Sequence, residues 1–288
     1  MNKVNPNDYA ALDNAYKVGL IGTIGDDGDP HITLISSLMN KGEDKMMFGE
    51  FVSGNSKRFI YENDATGFFI MGLDRNFWTG SMKFTNVVCE GEDYIHYNEM
   101  PLFRYNTYCG IAKVHYADLI DISEKRPINM AGVVANALRV TIFKNLVAGD
   151  RKKQVLRPWA QEFFAGLTNL MFIGYIGDDG IVKIAPIIQG QTVTSSRVVF
   201  TKAPYSDLLT DLKDGARVAI YNMDLDMHSA EAKGVVHKSI LGMYTVDFDK
   251  VYSPAPPKIG YVYPELKQEA VNWDEEPLVE KLKEQPHP

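Results

Sequence analysis

Cysteine is almost missing from this sequence: Cys89 and Cys109 are the only two in 288 residues. Two cysteines outside any CxxC pair exclude a disulfide framework and a thiolate zinc site. Their expected state is that of small, free core residues in a reducing compartment. Basic residues are scarce as well. The 30 Lys and Arg are outnumbered by 37 Asp and Glu, for a net charge of −7. The short basic runs, Lys57-Arg58 and Arg151-Lys152-Lys153, do not make the broad positive field that nucleic-acid binding needs. No run approaches the ~20 apolar residues of a membrane span, and MNKVNPNDYAALDNAY carries no apolar signal core. The expectation is a cytoplasmic chain that binds neither nucleic acid nor membrane. HExxH, GxSxG, Walker and GxGxxG patterns are all lacking. The six histidines (His31, His96, His115, His228, His237 and His287) show no metal-ligand spacing, so no metal site is expected.

What is present is the composition of a globular protein, 45% hydrophobic and 23% charged. The length suits about two domains, each large enough to bury its own core. A short helix over Asn5–Lys17, with Asn7 as its cap, precedes a strand at Val18–Ile24, a GDDGDP turn and a second strand at His31–Met39. A third strand starts at Lys45. After it come a polar loop, a helix from Ser56 to about Glu62, and strands at Thr66–Met71, Phe77–Glu90 and Tyr108–Ser123. The intervening YIHYNEMPLFRYNTY (Tyr94–Tyr108) is unusually aromatic. It reads either as a loop over a planar ligand, with Arg104 meeting an anion, or as a segment packed between domains.

The order then repeats. IGTIGDDG at Ile21–Gly28 returns as IGYIGDDG at Ile173–Gly180, 152 residues later. Further on, a spacing of 150 aligns Ser56 with Ser206, Lys57 with Asp207, Phe68 with Val218 and Lys83 with Lys233. This is a tandem duplication. The expected organisation is a domain over 1–123, a helical connector over 124–168, a second domain over 169–253 and an extended acidic tail over 254–288. Met130, Val133, Val134, Ala137, Leu138, Ile142 and Phe143 recur at helical spacing within the connector.

The stretch GEFVSGNSKRFIYEND (Gly49–Asp64) places Ser53, Ser56 and Lys57 where a helix begins. Unpaired N–H groups and the positive end of the helix dipole there suit a phosphate. On the residues alone, a plain helix cap with a solvated lysine fits the same pattern.

With IGTIGDDGDPHITLISSLM, GFFIMG and WTGSMKF, this stretch resembles the FMN-binding split barrel of the pyridoxamine 5′-phosphate oxidase-like superfamily. The resemblance covers about Lys17–Ser123 and Asn169–Ser253. It implies a mainly β fold: two tandem six-stranded split β-barrels joined by a helical connector, the halves pairing within one chain as such barrels pair in homodimers. A homodimer of the whole chain stays open. It further implies FMN between the halves, its phosphate on Ser53, Ser56 and Lys57 and its ring along Thr33, Leu34, Ile35 and Ser36. Trp78 and Lys83 are candidates for the flavin edge, although Trp78 reads equally well as a core aromatic. The second copy, with Asp207, Pro204 and Tyr205 in its loop, is expected to be degenerate or differently used, and Lys202 is placed to offset Asp207. The implied function is an oxidoreductase passing hydride or electrons between a reductant such as NAD(P)H and a small-molecule acceptor. The alternatives are a non-catalytic FMN or haem carrier and a deazaflavin-dependent reductase.

Overall fold

The computed structural model describes residues 3–51, 55–106, 110–166, 168–224, 226, 228–254 and 260–264. The N-terminal segment is a 3-10 turn, Pro6–Asp8, followed by α1 (Tyr9–Leu12). The cap is Asn5, whose side chain accepts from Asn7 N–H, rather than Asn7 itself. The first sheet is built from β1 (Lys17–Ile24), β2 (Pro30–Leu34), β3 (Met39–Asn40), β4 (Lys45–Glu50), β5 (Ala65–Gly72), β6 (Asn76–Val88), β7 (Lys113–Ile122) and β8 (Arg126–Pro127). Helix α2 (Asn55–Glu62) follows β4, while α3 (Glu92–Glu99) and α4 (Pro101–Asn106) precede β7. The connector holds α5 (Met130–Phe143) and α6 (Pro158–Ala165). The second sheet contains β9 (Leu170–Ile176), β10 (Val182–Pro186), β11 (Gln191–Thr194), β12 (Arg197–Thr201), β13 (Arg217–Met223), β14 (Ser229–Lys238), β15 (Met243–Ser253) and β16 (Gly260–Tyr263).

Both sheets are antiparallel, and their strand orders match: β2-β1-β5-β6-β7-β4-β3 in the first and β10-β9-β13-β14-β15-β12-β11 in the second. Each sheet has eight strands rather than six: seven lie on the main path, and a short eighth pairs off it, β8 on β6 and β16 on β15. Alternation along the strands turns one face of each sheet inward. Ile21, Phe48, Phe68, Ile70, Trp78 and Met82 fill the first barrel. Ile173, Phe200, Ile220, Ala232 and Phe248 fill the second.

The registers correct the repeat. Ile21 pairs with Phe68 and Ile173 with Ile220; Phe68 pairs with Gly80 and Ile220 with Ala232. A single spacing of 152 therefore holds from β1 through β6, with no shift to 150. The bulge between Ser81 and Met82 recurs between Lys233 and Gly234, at the same spacing. Lys233 is thus the counterpart of Ser81, and Glu231 that of Thr79. Lys83 corresponds to Val235. In the equally long loop before the fifth strand of each half, Leu209 takes the place of Lys57.

The opposite faces meet as a third core, in which Leu20, Ile32, Phe69 and Phe77 pack against Phe172, Ile184, Tyr205 and Tyr221. Contact is closest at Gly22 and Gly67. An added Cβ would stand 2.6 Å from the Val182 side chain at Gly22 and 1.7 Å from the Val182 carbonyl oxygen at Gly67. Glycine is what lets β10 lie this tightly on β1 and β5.

The connector departs from expectation in one respect. Val133 and Val140 of α5 are buried, yet Met130, Val134, Leu138 and Ile142 are exposed, so both helix faces are apolar. With the 3-10 turn that follows, Met130–Val147 has the length and composition of a crossing helix, contrary to the expectation that no run approaches a membrane span. The aromatic 94–108 stretch is helical where it is described and lies against the outside of the first barrel. Tyr97 is fully buried there, and its hydroxyl donates to Ser37 O at 2.8 Å. Cys89 is exposed rather than a core thiol, and Cys109 lies outside the described residues.

Candidate functional site

Helix α2 lies over the open end of the first barrel, with Phe59 and Ile60 buried beneath it. Its first turn carries Ser56, buried, and Lys57, half-buried. The first N–H groups of an α-helix find no acceptor within the helix itself. On β2, alternation sends His31 and Thr33 toward α2 and Ile32 and Leu34 toward the other half. The Thr33 and Ser56 hydroxyls are hydrogen-bonded to each other. Burial pushes the Lys57 ammonium below its usual range, and the Glu50 carboxylate opposes that shift. Glu50 is itself bonded to His115 Nε2 at 2.6 Å, and the His115 ring stacks on Phe48. Burial lowers the His115 pKa, against the pull of Glu50.

The second half completes this site. Glu231 on β14 is fully buried and reaches across the seam. Its Oε2 lies 2.7 Å from His31 Nδ1, and its Oε1 accepts from Ile32 N–H at 2.7 Å. His31 Nε2 lies 3.1 Å from Thr33 Oγ1. A continuous chain thus runs Glu231, His31, Thr33, Ser56. Tyr252 and Phe59 stand edge-on to the imidazole, with centroids at 4.7 and 5.6 Å. Below it, Arg217 grips both oxygens of Asp29, and Lys250 bonds to Asp27 and Asp29. Against burial, which alone would raise it, the Lys250 hydrogen bond and the Lys233 charge hold the Asp27 carboxyl at about 2.

Two hydroxyls, an ammonium and a helix start suit a dianionic oxygen group such as a phosphate. The structure brings the Thr33 and Ser56 hydroxyls together, and Lys57 follows Ser56 in the same turn, under the influence of Glu50; Ser53 lies outside the described residues. The other candidates are elsewhere. Strand β2 stops at Leu34, which faces the seam; Ile35 enters the barrel core, and Ser36 lies on the turn toward β3. Trp78 is a core residue, 1% exposed, with its indole N–H donating to Asp8 at 3.0 Å. Lys83 points outward and pairs with Asp64 at 3.4 Å. Arg58 also turns away, to Asp26.

His31 and Glu231 were not singled out from sequence. His31 could have been found from the two-residue spacing that puts it on the face of Thr33. Nothing local marked Glu231, because its partner is 200 positions away.

The equivalent place in the other half is filled. Tyr205, 2% exposed, packs edge-on to Phe77 at 5.7 Å, and its hydroxyl accepts from Asn129 N–H at 2.9 Å. Asp207 pairs with Arg126. Lys202, expected to offset Asp207, instead donates to the carbonyls of Leu209 and Leu212. The ligand-capable atoms of Asp224, Asp226 and His228 gather within 4.8 Å on the β13–β14 turn, a grouping not foreseen from the histidine spacings; Asp224 already bonds His228 there.

Neither protein-family models nor curated proteins match the chain. Among solved structures, the chain is similar to an FMN-binding protein from Syntrophomonas wolfei subsp. wolfei, at 16% identity over 40% of this chain and 81% of that one, with a TM-score of 0.34. It is similar to an F420 reductase at 16% identity, over 42% and 98% of the two chains, with a TM-score of 0.34. General Stress Protein 26 from Bacillus anthracis str. Sterne gives 13%, 42% and 97%, and 0.31. The strand order and register described above are present twice in the chain.

Proposed function

We propose that this chain of two fused split barrels is a flavoprotein and an oxidoreductase, holding one FMN between its halves at the site built on α2 and β2. The observation that carries this reading is the Thr33–Ser56 hydroxyl pair beside Lys57 in the first turn of α2, at a seam that the second half closes with Glu231 and Tyr252. These residues fit the phosphate end of the cofactor: a hydroxyl of the pair donates, and the ammonium offsets charge. Flavin, when bound, supplies hydride and electron chemistry. The chain's own part is to bind and orient. Glu231 fixes β2 through the Ile32 N–H, and the His31 and Tyr252 rings form an aromatic wall. Hydride chemistry on a flavin needs no side-chain nucleophile, so the lack of a triad is compatible with catalysis.

The test is spectroscopic. Purified full-length protein titrated with FMN is expected to bind it and to hold it through gel filtration. Lys57→Ala is expected to weaken binding by about 1.5–3 kcal/mol, or roughly 10- to 150-fold, the worth of a charge-assisted hydrogen bond. Bleaching by NADPH and recovery with an acceptor mark an oxidoreductase; binding without bleaching marks a carrier. Protein that takes up haem or a deazaflavin but not FMN overturns the reading.

A further inference from the structure

The chain from Glu231 to Ser56 has a direction, and the protonation of His31 sets it. An ionised Glu231 can only accept, and that arrangement puts a proton on His31 Nδ1. The second nitrogen, Nε2, faces Thr33 Oγ1. With Nε2 unprotonated, the Thr33 hydroxyl donates to it. Ser56 then donates to Thr33, and its proton is used up inside the protein. With Nε2 protonated, His31 donates to Thr33 and the Thr33 proton is freed; the order that releases the Ser56 O–H toward α2's first turn, with Thr33 donating to Ser56, becomes available only then. A hydroxyl has a single proton to give, so Ser56 cannot serve Thr33 and an anion together.

We propose that binding of the cofactor's phosphate is coupled to uptake of one proton from solvent at His31 Nε2, relayed to the anion as a reversal of the Thr33 and Ser56 hydroxyls, with Glu231 of the second half as the fixed acceptor that makes the imidazolium tolerable in a buried site. One N–H bond forms at Nε2. No bond to the ligand is made or broken. The inference rests on the flavin reading above and assigns the proton that this reading leaves open.

The surroundings support a charge here. Glu231 touches the ring directly, and its own N–H and imidazole partners account for both carboxylate oxygens. Tyr252 from β15 and Phe59 from α2 cover the ring edge-on and keep it dry. Charged groups near the ring also include Lys57 on α2, Lys233 on β14, Lys250 on β15 and Asp29 in the turn before β2. Asp29 is committed to Arg217 and Lys250. The counterparts of His31 and Glu231 at the other seam are Lys183 and Thr79, which cannot form this chain.

Calorimetric titration of FMN into the full-length protein, in buffers of differing ionisation enthalpy near pH 7.5, measures the protons exchanged. The wild type is expected to take up a large fraction of one proton more than His31→Gln, in which that position cannot titrate. Nitrogen-15 NMR of histidine-labelled wild type supplies a reading that does not depend on a variant folding: both His31 ring nitrogens are expected to carry protons in the complex, at a pH where the free protein shows only one. Affinity should fall toward high pH, by up to about tenfold per pH unit for one proton taken up, and Glu231→Gln should abolish that slope. If FMN binds with equal proton exchange in wild type and His31→Gln, and His31 stays neutral in the complex, the coupling is wrong and the flavin reading stands. No FMN binding between pH 5.5 and 8.5 overturns both.

Discussion

A side chain at Gly67 would begin where the Val182 carbonyl oxygen already lies: a Cβ there would stand 1.7 Å from it. The two halves are therefore docked backbone to backbone, and neither can shift without the other. Gly67→Ala is expected to cost about 3 kcal/mol of stability, because a backbone must move. Gly22→Ala meets only a Val182 methyl at 2.6 Å, and the expected cost is about 1 kcal/mol. Urea unfolding of the two variants checks the order. Equal or negligible effects would mean that the halves do not pack this closely in solution.

Acid should loosen the same seam. The Asp27 carboxyl is held at about 2 by Lys250 and Lys233 despite partial desolvation, so the folded state binds its proton less readily than the unfolded chain. Its contribution is complete above about pH 4 and is lost as pH falls to about 2. Solvent screening of this partly exposed carboxylate limits it to about 1 kcal/mol. Asp27→Asn should be less stable than wild type by about that amount at pH 7 and equal to it at pH 2. A difference that persists unchanged at pH 2 would show that the charge is not responsible.

Lys17 works in the opposite sense. Its side chain is 8% exposed, and its Nζ donates to Asn14 O at 2.6 Å. Burial lowers its pKa to about 7, with Asp13 opposing. Between pH 7 and the ordinary lysine range, the unfolded chain holds a proton that the folded chain has released, so stability rises with pH through that window. Below pH 7 the folded state carries a buried ammonium. Lys17→Met should be about 2 kcal/mol more stable than wild type at pH 6, with the gain fading by pH 10. Thermal melts across this range test the sign, and a variant whose pH dependence parallels wild type would refute it.

Cofactor stoichiometry should be one per chain rather than two. Tyr205 fills the second place, anchored by the Asn129 N–H and by Phe77. Truncating it in Tyr205→Ala should cost about 3–4 kcal/mol by opening a cavity at the seam. Two equivalents of FMN retained by the wild type would contradict the filling of that groove.

Much of the fold was legible because strands and turns are local. IGTIGDDG and IGYIGDDG each spell a strand entering a tight turn, and Gly28 and Gly180 take the positive φ that this turn demands. The strand register was harder to read. A two-residue slip keeps every side chain on its own face, so hydrophobic pattern alone tolerated the false match of Lys83 with Lys233. Only hydrogen-bonded pairing settles which residues are equivalent. Trp78 shows the same limit from another side, since an aromatic beside a strand end reads alike whether it faces a core or a ligand. For the site, the α2 start was readable from Ser56 and Lys57, because helix caps are written in consecutive residues. Glu231 was not, because its role exists only once two distant strands meet.

The unbroken spacing between the halves carries a last consequence. Where a ligand groove is shared by identical subunits, any substitution is installed twice, and a change that perfects one contact damages its mirror image. Joining the copies end to end lifts that rule. Glu231 and Thr79 hold matching addresses, yet one braces an imidazole while the other stays an ordinary strand residue. Fusion thus lets one chain keep a polar crevice on one flank and spend the other on cohesion.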